Sequence, residues 1–140
     1  MTLSPRLAAL VAALPLAPGL RVLEIGAGPG TAARAVAGRI APGCIVAIDR
    51  SDRAVALART ACAAEIAAGL LEVRCLAAED LVLTPGEPRF DLAFAFRVGA
   101  LDGRHPRQGA AARARIAAAL APGGRLYIDG GDPLRTVDLA

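Results

Sequence analysis

RVLEIGAGPGT, residues 21–31, decides the fold. Arg21–Ile25 is a short apolar run of the kind that forms a strand buried on both faces. Gly26, Gly28 and Gly30 interrupt it, and from Thr31 the apolar residues recur at helical spacing up to Ile40. Strand, glycine loop and helix in this order open a βαβ unit. Residues without a Cβ allow a tight turn and let the backbone approach a ligand closely. The helix that follows offers unpaired N–H groups at its start, which suits an electron-rich ligand group.

Outward from this stretch, strand and helix keep alternating. Before it, Ser4-Pro5 is a helix start with a capping hydroxyl and a proline at the first helical position. Leu7, Leu10, Val11 and Leu14 continue that helix, and Pro15 and Pro18-Gly19 stop it. After it come a second strand, CIVAID (44–49), and an alanine-rich helix capped by Ser51 that is expected to run to about Gly69. LEVRCL (71–76) is a third strand, followed by a loop or short helix over 78–81 and a turn at 84–88. FDLAFAF (90–96) is a fourth strand, 99–108 is polar and turn-rich, and 109–120 is a helix stopped by Pro122-Gly123-Gly124. RLYID (125–129) is the fifth strand. Such alternation predicts an α/β, Rossmann-like, doubly wound parallel sheet of about five strands with helices on both faces. Ligands of these folds bind beyond the carboxyl ends of the strands, at the switch point.

The composition limits the functional classes. The 140 residues suit one domain spanning 1–140, and 55% hydrophobic residues argue against disorder. No apolar run reaches the length of about 18 residues that a membrane span needs, so no membrane partner is expected. All 16 basic residues are arginine and the net charge is +3, but the arginines are scattered and the chain has one tyrosine and no tryptophan. A nucleic-acid surface more often clusters its charge beside stacking aromatics, so a nucleic-acid partner is not expected. Cys44, Cys62 and Cys75 are widely spaced and there is one histidine, which supports neither a disulfide framework nor a metal site. Cys44 and Cys75 are expected as small buried hydrophobes, and a reducing, cytoplasmic location follows.

The competing use of such a loop is a flavin or nicotinamide site with the fingerprint GxGxxG, whose helix N-terminus takes a pyrophosphate. Gly26 and Gly28 fit it, but Thr31 stands where the third glycine belongs, and Glu24 lies two residues ahead. A carboxylate there repels pyrophosphate and suits a cationic amino group. EIGAGPG (24–30) resembles instead the D/E-x-G-x-G-x-G motif of class I S-adenosylmethionine-dependent methyltransferases. The resemblance implies that Glu24, Gly26, Ala27, Gly28 and Gly30 surround the methionine and ribose part of that cofactor. It implies that Asp49, nineteen residues after Gly30, takes the ribose hydroxyls, with Arg50 beside it. CLAAEDL (75–81) is similar to the family's segment after strand three, but Ala77 replaces the acid that commonly meets the adenine amino group. The Ala78 N–H and Glu79 are the remaining candidates there. RFDLAFAFRV and LAPGGRLYID resemble the fourth strand and the turn into the fifth, so the likeness covers 21–129.

The usual sheet of that family ends in an antiparallel hairpin after another helix. Only eleven residues follow Asp129, so the hairpin is expected to be missing and strand five to lie at an edge. An uncovered apolar edge invites pairing, and a homodimer through the strand-five edge is the expected arrangement. Function follows the resemblance: a methyltransferase acting on a small-molecule acceptor. The alternatives are a cofactor-binding module with lost or partner-dependent catalysis, and a dinucleotide oxidoreductase. The family has no universal catalytic residue, and Arg97, Asp102 and His105, in and after the fourth strand, are the candidates for contact with an acceptor. Tyr127 is expected in the core.

Overall fold

The computed structural model describes residues 2–99, 101, 103 and 105–139. The chain forms β1 (Arg21–Ile25), β2 (Cys44–Asp49), β3 (Leu71–Cys75), β4 (Phe90–Ala95), β5 (Leu120–Asp129) and β6 (Leu134–Val137). Its helices are α1 (Pro5–Ala13), α2 (Thr31–Ile40), α3 (Asp52–Ala61), α4 (Ala63–Ala67) and α5 (Pro106–Ala119), with a 3-10 turn at Ala78–Asp80. The strands form one sheet in the order β3-β2-β1-β4-β5-β6. Pairings among β1 to β5 are parallel. The order reverses between β1 and β4, which puts the switch point beside the glycine loop that follows β1.

The period-2 pattern of the strands explains the layering. Val22, Ile45, Ala47, Leu92 and Phe94 face one side of the sheet and pack with Val36, Ile40 and Val55 of α2 and α3. Leu23, Val46, Ile48, Ala93 and Ala95 face the other and pack with Ala112, Ile116 and Ala119 of α5. Small residues on α2 and α5 bring both helices close to the sheet. Ser4 caps α1 by accepting from the Leu7 N–H at 3.1 Å, and Ser51 caps α3 through the Ala54 N–H at 3.2 Å.

Three elements depart from expectation. The fifth strand begins at Leu120, so Pro122-Gly123-Gly124 lie within β5 and not between helix and strand. The alanine-rich helix after Ser51 breaks at Cys62, a buried residue whose thiol donates to the Gly30 carbonyl at 3.5 Å, so α3 and α4 are separate. More consequentially, the sheet has six strands and does not lack the antiparallel hairpin. Leu134–Val137 turns back along β5, with Leu126 opposite Val137 and Asp129 opposite Leu134. No helix is needed: a four-residue turn, 130–133, joins the strands, and Gly130 supplies the left-handed conformation it requires (φ 102°). Leu134 then packs on one face of the sheet and Val137 and Leu139 on the other. Strand five is therefore interior, flanked by β4 and β6, and the expected homodimer through its edge loses its structural basis.

The cysteines and Tyr127 differ as well. Cys44 is half-buried, and Cys75 is exposed at the end of β3, its thiol 3.1 Å from Asp52 Oδ1. Tyr127 is half-buried at the margin of the core. None of the described helices is long and apolar enough to cross a membrane.

Candidate functional site

The glycine loop bends over the end of β2. The N–H groups of Gly26 and Ala27 donate to the Ile48 carbonyl at 2.9 and 3.0 Å, anchoring the loop's first half. Its second half is held by Asp49, whose Oδ2 accepts from the Gly28 N–H at 2.9 Å. Asp49 Oδ1 accepts from the Ser51 N–H at the same distance. The last residue of β2 thus fixes both the loop and the start of α3.

Glycine is required in the loop for close approach. A Cβ on Gly26 (φ 70°) would lie 2.7 Å from Val98 Cγ2, and one on Gly30 (φ 87°) 2.9 Å from Cys62 Sγ and 3.2 Å from Ala58 Cβ. Gly30 accordingly serves the packing of the loop on α3 and Gly26 its approach to Val98, whereas a Cβ on Gly28 would meet nothing within 4 Å.

Two cavities adjoin at this loop. One, of about 300 Å³, lies over the ends of β1, β2 and β3 and is lined by Asp49, Arg50, Ala77, Ala78 and Glu79, among others. The second, of about 290 Å³, lies between the loop, α1 and the end of β4, and is lined by Glu24, Ala27, Gly28, Leu7 and Phe96, among others. Gly26 and Arg97 line both, so an elongated ligand occupying the pair passes between them.

Glu24 stands out chemically. The residue is 3% exposed, and its Oε1 has no hydrogen-bond partner among the described residues. Burial, and secondarily the charge of Asp49, push its carboxyl well above the usual carboxylate range. An unpartnered buried carboxyl oxygen is costly, and a cationic ligand group in the cavity is the chemistry that would satisfy it.

The rim of the second cavity is built by three elements. The Arg97 N–H donates to Asp129 Oδ1 at 2.9 Å, and the Arg6 guanidinium to Asp129 Oδ2 at 2.7 Å. Burial pushes the Asp129 carboxyl up, but these two donors outweigh it and the group titrates below its ordinary range. Arg97 has a left-handed backbone (φ 61°), uncommon outside glycine.

Of the residues singled out from the sequence, Glu24, Gly26, Ala27, Gly28, Asp49, Arg50, Ala78, Glu79 and Arg97 come together around the two cavities. Gly30 stands behind the loop, against α3. His105 is exposed at the start of α5, its N–H bonded to the Gly99 carbonyl, and lines neither cavity. Asp102 lies outside the described residues. Ser4, Arg6 and Leu7 are not among the candidates from sequence, because nothing local in α1 signals that it lies across the front of the loop, and Phe96 reads there only as the end of the fourth strand.

A family model described as a methyltransferase domain matches residues 22–124. No curated protein matches the chain at a significant level. Among solved structures, the [4+2]-cyclase SpnF is 30% identical with a TM-score of 0.72, over 88% of this chain and 43% of that one. A methyltransferase from Thiobacillus denitrificans, solved in complex with S-adenosyl-L-homocysteine, is 26% identical with a TM-score of 0.68, over 89% of this chain and 48% of that one. The YcgJ protein of Bacillus subtilis shares the fold at 22% identity and a TM-score of 0.71, over 88% of this chain and 49% of that one. The chain therefore spans about half the length of the solved structures it matches.

Proposed function

The chain belongs to the methyltransferase-domain family, in its class I, S-adenosylmethionine-dependent form, and we propose that it binds this cofactor across the two cavities and transfers its methyl group to a small-molecule acceptor. The observation that carries the proposal is Glu24. A buried carboxyl with an unpartnered oxygen at the glycine loop fits the α-ammonium of the cofactor's methionine part, and a dinucleotide has no ammonium group to donate there.

The remaining residues divide along the ligand. Asp49 keeps lone pairs for the ribose hydroxyls after binding Gly28 and Ser51, since an ionised carboxylate accepts at about four sites. Arg50 lies beside it, and the Ala78 N–H and Glu79 border the space for adenine, where Ala77 offers no acid. When bound, the cofactor supplies an electrophilic methyl on a sulfonium. The protein's part is to align an acceptor with it and exclude water, and close, oriented contact of this kind accounts for much of such a rate enhancement. Arg97, between the cavities, is placed to orient an anionic acceptor group. The exposed position of His105, outside both cavities, gives no support to its use as a base. A reducing, cytoplasmic setting, consistent with three free thiols, and a small molecule instead of nucleic acid or membrane as partner belong to the same proposal.

A second reading, a cofactor-binding domain without methyl transfer, is favoured by the 30% identity to a protein named as a cyclase. Incubation with S-adenosylmethionine and pooled small-molecule acceptors, followed by assay of S-adenosylhomocysteine, separates the two. Acceptor-dependent product supports methyl transfer; binding without product supports the second reading.

A further inference from the structure

We propose that Asp129 is a positioning residue, which shapes the ligand cavity by holding Arg97 in its left-handed conformation and tying α1 to the end of β5. This rests on the proposed cofactor site. It adds a residue that touches neither cavity yet controls two that do.

Arg97, like Gly26, lines both cavities, so its backbone borders the place where they meet. A side-chain-bearing residue at φ 61° persists only where its surroundings hold it there. The bond from the Arg97 N–H to Asp129 Oδ1 supplies that restraint, and hydrogen bonds to an ionised acceptor are the stronger kind. The other oxygen of the same carboxylate takes Arg6, on the first turn of α1, which with Ser4 and Leu7 forms the outer wall of the second cavity. Asp129 can serve both because it ends β5 beside β4, where Ala95 pairs with Ile128. The hairpin contributes to this placement: β6 pairs with Asp129 through Leu134 and holds the end of β5 in the sheet.

The two halves of the role separate by substitution. Asp129→Asn keeps an acceptor for the Arg97 N–H, whereas Asp129→Ala removes it. The test measures amide hydrogen exchange at Arg97 in the ligand-free protein, and the dissociation constant for S-adenosylhomocysteine by calorimetry. Thermal melting of each variant serves as the folding control. Asp129→Ala is expected to speed exchange at Arg97 at least tenfold and to weaken binding at least tenfold, and Asp129→Asn to restore most of both. A glycine adopts the left-handed backbone without help. In the Arg97→Gly background, therefore, Asp129→Ala should weaken binding by less than half as many fold as in the parent. Unchanged exchange at Arg97, an equal loss in the alanine and asparagine variants, or an undiminished loss in the Arg97→Gly background overturns the proposal. If the parent protein binds no S-adenosylhomocysteine while the exchange pattern holds, the cofactor assignment fails and the control of Arg97 stands.

Discussion

The carboxylate of Asp49 and the N–H of Gly28 meet at 2.9 Å, so the end of β2 holds the middle of the glycine loop. The same carboxylate is the proposed acceptor for the ribose, and its loss removes a ligand contact and a loop restraint together. Asp49→Ala is expected to weaken S-adenosylhomocysteine binding by about 1.5–3 kcal/mol, the range for hydrogen bonds to a charged group. Calorimetric titration checks it, and an unchanged affinity removes Asp49 from the site.

Glu24 predicts a pH dependence. Its carboxyl is raised in the folded protein, first by burial and then by Asp49, so the native state binds its proton more tightly than the unfolded chain does. The sign follows from linkage: stability from this group is full below the unfolded value, about 4.3, and is lost as pH rises from there through the folded value. Glu24→Gln escapes that loss, so its stability relative to the parent should grow with pH above about 4.3 in ligand-free denaturant melts. A difference that stays flat or shrinks contradicts a carboxyl raised by burial. Binding of the cofactor's ammonium should in turn release a proton, seen as a dependence of the binding enthalpy on buffer ionisation, and the glutamine variant should lose both the release and much of the affinity.

Gly28 and Gly30 should fail in different ways. A Cβ on Gly28 meets no protein atom within 4 Å, whereas one on Gly30 meets Cys62 and Ala58. Gly30→Ala is expected to destabilise the fold by about 1–3 kcal/mol through strain and overpacking. Gly28→Val carries the strain of a β-branched residue in a left-handed backbone but no overpacking at its Cβ, and is expected to lose S-adenosylhomocysteine binding, since Gly28 lines the cavity. Melting curves and titrations of both variants test the contrast, and the reverse pattern would misplace the loop.

Glu79 and Asp80 are neighbours in the 3-10 turn, yet only Glu79 lines the first cavity, and Asp80 is exposed. Glu79→Ala should therefore weaken binding more than Asp80→Ala under the same conditions. The opposite order would mean that the adenine end of the ligand lies elsewhere.

Much of this was legible in the residues themselves. The five parallel strands declare themselves as apolar runs between glycine and proline breaks, and Glu24, Gly26, Gly28 and Asp49 are legible because strand, loop and helix are contiguous in sequence. The sixth strand was not, since LRTV is four residues long, half-exposed, and follows a turn with Pro133 that reads as an irregular tail. Arg6 and Asp129 are 123 residues apart, and no local pattern reports a contact of that kind. The break at Cys62 likewise involves a tertiary contact, the packing of its thiol on Gly30, inside an otherwise alanine-rich stretch. What local periodicity and loop chemistry encode could be read, and what arises from the closure of distant segments could not.

The most direct measurement of the central claim is a pair of calorimetric titrations of this chain, one with S-adenosylhomocysteine and one with NADH. The account predicts saturable one-to-one binding of S-adenosylhomocysteine, weakened by Glu24→Gln and by Asp49→Ala, and no binding of NADH under the same conditions. Binding of NADH without binding of S-adenosylhomocysteine would contradict it.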